Sequence, residues 1–303
     1  MTYVGRFAPS PTGPLHFGSL VAAVASHLDA RANDGRWLIR IEDVDTTRCQ
    51  PEYERAILDT LSAYGLTADG VVLRQSMRTR EYETAIARLR DAGQIFACHC
   101  SRREIADSAI AGIDGPVYPG TCRKAALPEI GCALRVHTDD QPIRFQDRVQ
   151  GMVEQRLQSQ IGDFVVKRRD GCHTYQLAVA VDDAEQGVTH VVRGADLLAS
   201  TPRQIYLQRL LGLPTPSYLH IPVAVNVAGE KLSKQTLATE ISVEGALEWL
   251  QRALQFLGQS TAGIGQASSP RQILDIAAQQ WNVAAIPSRP TLPAHFVGPV
   301  NGQ

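Results

Sequence analysis

The chain has 303 residues, room for about two domains at roughly 100–200 residues each. Hydrophobic residues make up 44% and charged residues 20%, which supplies a sizeable core and excludes wholesale disorder. Thirty basic against 31 acidic residues give a net charge of -1, excluding a uniformly basic chain held on nucleic acid by charge alone. A local basic face remains open. There is no apolar run of about eighteen residues, and Met1–Ser10 lacks the basic-then-apolar pattern of a secretory signal. The expectation is a soluble cytoplasmic protein with no membrane partner, whose six cysteines form no disulfide framework.

The first hundred residues alternate strands with helices. Tyr3–Ala8 reads as a strand broken by the Pro-Gly cluster Pro9–Pro14. A helix follows from about Gly18, with Leu20, Val24 and Leu28 on one face, and Gly35 ends the unit. Arg36–Glu42 alternates, with Trp37, Ile39 and Ile41 pointing one way and Arg40 and Glu42 the other. Helices are expected over Pro51–Tyr64 and Thr79–Ala92, the latter stopped by Gly93. Strand, helix, strand, helix implies a parallel sheet covered by helices.

The pattern changes over residues 98–170, which are richer in cysteine, glycine and short strand-like pieces such as Cys132–His137. This stretch reads as an insertion. The α/β pattern resumes with strands at Tyr175–Val181 and Val188–Arg193, a helix over Thr201–Leu211 and a strand at Ile221–Val227. A polar loop, Gly229–Gln235, comes next, and Ser242 is expected to cap a helix reaching Leu257. A Gly/Ser/Gln linker leads to a helix opened by Ser269-Pro270, and the Pro-rich tail Pro287–Gln303 is expected to be extended or disordered.

The densest signal is RFAPSPTGPLHFGS, Arg6–Ser19: a strand end, a tight turn and a His-x-Gly at the start of a helix. Free backbone N–H groups and the helix dipole make such an end an anion site. Gly18 removes a side chain where a nucleotide must come close, and His16 can donate to phosphate oxygens as they gain charge. A lone His-x-Gly is more often an ordinary turn. The second half of the signal is GEKLSKQ, Gly229–Gln235, where Lys231, Ser233 and Lys234 could close over a triphosphate. Alone it reads as a solvated lysine loop; the two elements together, each after a strand, favour a nucleotide site.

These residues resemble the two signatures of class I aminoacyl-tRNA synthetases, the first of the glutamyl type. His16–Ser19 stands at the HIGH position and Lys231–Gln235 at the KMSKS position, with Gln235 in place of the final serine. The resemblance implies a Rossmann-like catalytic domain that binds ATP through Pro9, His16, Gly18, Ser19, Lys231, Leu232, Ser233 and Lys234. His16, Lys231 and Lys234 would stabilise charge on the phosphates, with Mg²⁺ accompanying ATP.

Beyond the carboxyl ends of parallel strands, where ligands bind in open α/β sheets, stand Arg6, Glu42 and Arg193, while Tyr175 opens its segment. Two arginines and one glutamate complement the two carboxylates and one ammonium of glutamate; a structural ion-pair cluster is the alternative. The blocks RFAPSPTG, IEDVD (Ile41–Asp45), GCHTYQLAVAVDD (Gly171–Asp183) and THVVRGADLLASTPRQ (Thr189–Gln204) look like glutamyl-tRNA synthetase blocks in the same order. By that resemblance Arg6, Ala8, Ser10, Glu42, Tyr175 and Arg193 line a glutamate site. Gln176 departs from the histidine usual in full-length glutamyl enzymes.

Cys98, Cys100 and Cys122 lie in the insertion, with Cys132 further on. Thiolates bind zinc tetrahedrally and staple small irregular modules; reduced structural cysteines are the alternative. On chemistry alone Cys132 is the better fourth ligand. The resemblance of VYPGTC, Val117–Cys122, to a family block implies Tyr118 instead, with one structural zinc on Cys98, Cys100, Tyr118 and Cys122.

The expected organisation is a catalytic first half at 1–97, a zinc-binding insertion at 98–170, the second catalytic half at 171–258, and a linker, short helix and tail at 259–303. No anticodon-binding domain is expected. That form resembles the glutamyl-Q tRNA(Asp) synthetase family, which implies a monomer acting on ATP, L-glutamate and tRNA(Asp) carrying queuosine. Charging of the 3′ end of tRNA(Glu), small-molecule adenylyl transfer and non-catalytic RNA binding are the alternatives.

Overall fold

The computed structural model describes residues 2–108, 110–226, 229–231 and 241–294. It opens with β1 (Val4–Phe7), α1 (Phe17–Arg31), β2 (Arg36–Ile41), α2 (Pro51–Ala63), β3 (Leu73–Arg74) and α3 (Thr79–Asp91). The middle holds β4 (Ile95–Cys98), α4 (Arg102–Ser108), β5 (Ala111–Gly112), β6 (Gly115–Pro116), β7 (Ala133–Val136), β8 (Pro142–Asp147), β9 (Gly151–Arg156), α5 (Leu157–Gln160) and β10 (Val165–Lys167). Then come α6 (Tyr175–Glu185), β11 (His190–Gly194), α7 (Thr201–Leu211), β12 (Ser217–Ile221), β13 (Val223–Val225), α8 (Ala246–Phe256), α9 (Pro270–Gln279) and β14 (Thr291–Pro293). Among the described residues, no helix is long and apolar enough to cross a membrane.

β1, β2 and β3 pair in parallel, as do β11 and β12. The two groups meet where Thr189 N donates to Val4 O at 2.9 Å. Trp37, Ile39 and Ile41 bury against α1, while Leu38 buries in a second cluster on the opposite face. Alternation along β2 therefore separates two interiors, not a core from solvent, and Arg40 is fully buried. At Gly35 a side chain would sit 2.7 Å from the carbonyl oxygen of Tyr3, so the turn from α1 into β2 requires glycine.

α1 is covered on more than one face: Phe17 packs edge-on against Phe256 with centroids 5.6 Å apart. Its Asp29 is fully buried and accepts from Tyr3 Oη (2.5 Å), Arg148 Nη1 and Nη2 (2.5 and 3.0 Å) and Trp281 Nε1 (2.9 Å). One carboxylate thus joins the residue just before β1, the turn after β8 and the segment after α9.

Several expectations need correction. Tyr175–Val181 is helix, not strand: β-branched and alanine residues alternate there, but the segment continues unbroken to Glu185, and an apolar run of that kind is ambiguous by periodicity. The strand expected at Ile221–Val227 lies mainly earlier, at Ser217–Ile221, and resumes as β13 after Pro222, which has no N–H to give. Residues 227 and 228 are outside the described set. Ser242 does not cap α8; the helix starts at Ala246 with Gly245 at its cap, and Ser242 Oγ accepts from Gly245 N. Ser269 caps α9 by accepting from Gln272 N. The tail is extended at β14, as expected, and pairs there in parallel with β13; residues 295–303 lie outside the described set.

The stretch 98–170 shares its sheets with the rest. β7 pairs with β4 and β10, and β8 lies beside β12 at Tyr218↔Asp147.

Candidate functional site

A cavity of about 840 Å³ opens at the carboxyl ends of β1, β2, β11 and β12. It collects Arg6, Ala8, Pro9, Ser10, His16, Gly18, Ser19, Glu42, Tyr175, Arg193 and Lys231, residues drawn from distant parts of the chain. The turn after β1 is held by backbone bonds, Glu42 N to Pro9 O (2.9 Å) and Gln50 N to Pro11 O (3.0 Å). His16 is the N-cap of α1, its Nδ1 accepting from Ser19 N at 3.3 Å. The amino end of α1, the positive end of its dipole, therefore borders the cavity.

Lys231 reaches the same cavity, and its Nζ lies 2.5 Å from Asp196 Oδ2 on a half-exposed surface. Just before it in the chain, Asn226 N donates to Glu230 O at 2.9 Å. Leu232, Ser233, Lys234 and Gln235 lie outside the described residues.

A buried charge cluster borders the same cavity through Arg6 and Glu42. Arg6 Nε is 3.2 Å and Arg40 Nη1 2.6 Å from Asp183 Oδ1, and Arg40 Nη2 is 3.5 Å from Glu42 Oε1. Burial alone would raise Asp183; Arg40 and Arg6 outweigh it and hold the carboxyl below the ordinary range. Glu42 goes the other way. Burial pushes it up to about 6 against the pull of Arg40 and Arg6. The ion-pair alternative is thus half right: Arg6 is engaged, through Asp183, while Arg193 belongs to a different set.

Arg193 has only neutral direct partners among the described residues: His220, Tyr175, Thr201 and Gln204. It is 4% exposed, so its charge is desolvated with no carboxylate touching it. That is the environment in which a guanidinium binds an incoming carboxylate strongly. Burial keeps the Tyr175 phenol protonated by raising its pKa, so it remains a donor as well as an acceptor. Arg40, Asp183, His220 and Asp147 were missed as site residues. The available signal was a charged or histidine residue inside an apolar strand, as in Ile39-Arg40-Ile41 and Leu219-His220-Ile221.

The cysteines converge too. The Sγ atoms of Cys98, Cys100 and Cys122 all lie within 4.8 Å of one another. Tyr118 Oη is 3.4 Å from Cys98 Sγ, accepts from Cys122 N at 2.8 Å, and is buried under the Arg135 guanidinium. The three thiols lie close enough together to hold a metal ion, with the Tyr118 phenol oxygen beside Cys98. Cys132 packs elsewhere, against the apolar cluster that includes Leu134 and Val136.

The model of the family described as tRNA synthetases class I (E and Q), catalytic domain, matches residues 3–261. A protein of Thiobacillus denitrificans named glutamyl-Q tRNA(Asp) synthetase is 50% identical, covering 95% of this chain and 96% of its own. One of the same name from Dechloromonas aromatica is 55% identical over 94% of this chain and 96% of its own. Among solved structures, a glutamate tRNA ligase from Elizabethkingia meningosepticum superposes with a TM-score of 0.78 at 24% identity. That match covers 95% of this chain and 66% of the ligase, and bears on fold alone.

Proposed function

We infer the reaction from one premise: this chain belongs to the class I tRNA synthetases of the E and Q type, among the glutamyl-Q tRNA(Asp) synthetases. It is a ligase that activates L-glutamate with ATP and transfers it to the queuosine base of tRNA(Asp). The observation that carries the chemistry is the single cavity in which the amino end of α1 and the Arg193–Glu42 end meet.

In this reading the glutamate ammonium faces Glu42, one carboxylate faces Arg193 and Tyr175, and the α-carboxylate attacks the α-phosphorus of ATP. The new P–O bond forms as the bond to pyrophosphate breaks. No general base is required, because the nucleophile is ionised at neutral pH. Catalysis is alignment plus charge stabilisation by His16, the helix end, Lys231 and Lys234. Asp196 holds Lys231 at the cavity rim until the triphosphate competes for it. Mg²⁺ accompanies the nucleotide. Zinc on Cys98, Cys100, Tyr118 and Cys122 would cross-link β4 to the loop after β6, a structural part away from the reacting atoms.

The acceptor is tested with labelled glutamate, ATP and unfractionated tRNA, prepared with and without queuosine. Label on tRNA(Asp) only when queuosine is present is the expected result; label on tRNA(Glu), or label indifferent to queuosine, would overturn it.

The elevated Glu42 pKa gives a pH signature. Below about 6 the side chain becomes neutral and loses its attraction for the ammonium, while the substrate carboxylates stay ionised to about 4. kcat/KM for glutamate should fall by up to about tenfold per pH unit below that point, and the Glu42→Gln variant should lack the inflection. A wild-type profile flat from pH 5 to 7 would exclude Glu42 from ammonium binding.

A further inference from the structure

Four of the five N–H bonds of Arg193 have described protein partners. Nε donates to His220 Nε2 at 3.1 Å, Nη2 to Thr201 Oγ1 and Gln204 Oε1, both at 2.8 Å, and Nη1 to Tyr175 Oη at 3.3 Å. The second Nη1 hydrogen is left beside the Tyr175 hydroxyl, and both residues line the cavity.

His220 can accept from Arg193 only if Nε2 carries no proton. The ring proton must then sit on Nδ1, which lies 2.6 Å from Asp147 Oδ2. Both side chains are fully buried, and Asp147 is itself fixed by the N–H groups of Val149 and Gln150 at 3.0 and 2.8 Å. The carboxylate therefore selects the tautomer, and the tautomer supplies the acceptor. With the proton on Nε2, two N–H groups would face each other and the guanidinium would have to turn. Gln204 is oriented similarly, its Nε2 donating to Gln176 Oε1 at 3.0 Å and Gln176 Nε2 donating to Ser200 Oγ at 3.1 Å.

We propose that His220, set by Asp147, is a positioning residue for Arg193 and thereby fixes how sharply the site separates a side-chain carboxylate from an amide. This rests on the reading that Arg193 holds a glutamate carboxylate. Held in one orientation, Arg193 aims its one remaining Nη1 hydrogen at the ligand beside the Tyr175 hydroxyl, a donor that suits a carboxylate oxygen and opposes the NH₂ of glutamine. A guanidinium free to rotate no longer aims that donor, and the preference for the carboxylate shrinks.

The test is pyrophosphate exchange on the full chain, with KM for glutamate, KM for ATP and the glutamate-to-glutamine ratio of kcat/KM measured for three variants, and thermal unfolding alongside. His220→Leu should raise KM for glutamate about 10- to 100-fold, the scale of a hydrogen bond to a charged group. It should lower the discrimination ratio while KM for ATP stays within about twofold. His220→Gln, whose amide can donate to Asp147 and accept from Arg193, should restore most of both. Asp147→Asn keeps the shape but drives the proton to Nε2, and should act like the leucine variant.

A folded His220→Leu or Asp147→Asn with unchanged glutamate KM and ratio would overturn the proposal. So would an equal rise in both KM values with no rescue by glutamine, which marks a purely structural role. Arg193→Leu separates the two levels: if it leaves glutamate KM unchanged the underlying reading fails, and if it alone acts only the role of His220 fails.

Discussion

Replacing Arg193 by leucine should raise KM for glutamate by at least about 10²-fold in pyrophosphate exchange, with KM for ATP little changed. The scale is that of removing one partner from a buried, hydrogen-bonded charge pair, about 2–5 kcal/mol. Arg193 is 4% exposed and touched only by neutral groups, so no neighbouring cation is released to take its place. Lysine should recover little, because a single ammonium cannot reproduce donors to His220, Thr201, Gln204 and the ligand at once. Steady-state kinetics of the two variants against both substrates decide it; glutamate KM within a few-fold of wild type would remove Arg193 from the site.

The largest effect on stability is expected at Asp29. Replacement by alanine strands the Arg148 guanidinium, the Tyr3 hydroxyl and the Trp281 indole N–H together. Removing one partner of a buried pair costs about 3–5 kcal/mol. Arg148 keeps 29% of its side chain in solvent, which places the expectation near the lower end, about 3 kcal/mol. Denaturant unfolding of Asp29→Ala measures it, and a loss below about 1 kcal/mol would show that the network is dispensable.

What the sequence disclosed depended on whether a local pattern had one physical meaning. α7 was legible over its whole length, Thr201–Leu211, because Pro202 fits a first turn and Gly212 supplies the left-handed stop. α6 was not: YQLAVAV offers short apolar side chains that suit a buried strand or a buried helix equally, and only packing chooses.

The site divides the same way. Arg6, Glu42 and Arg193 could be found because ligands in open α/β sheets sit beyond the carboxyl ends of the strands, where these residues stand. Arg40 and His220 left only a partial trace, a charged or histidine residue inside an apolar strand, because their work is to hold another side chain across the sheet and spacing along one strand does not name that partner. The tyrosine beside the cysteines came from the family resemblance; thiol chemistry by itself pointed to Cys132, which faces another part of the core.

Strand β14 has a bearing on how the molecule behaves in company. A short ladder such as β13 would otherwise present bare amides and carbonyls along its flank, a template on which a neighbouring molecule could add itself. Here the chain lays its own Thr291–Pro293 along that flank, with Val223 N bonded to Pro290 O and Ala294 N to Val225 O, both at 2.9 Å. On the outward side Pro293 has no hydrogen to offer a further strand. The covering segment thus occupies the flank on which a neighbouring molecule could pair, while the bridge from Val225 to Lys231 lies on the same strand.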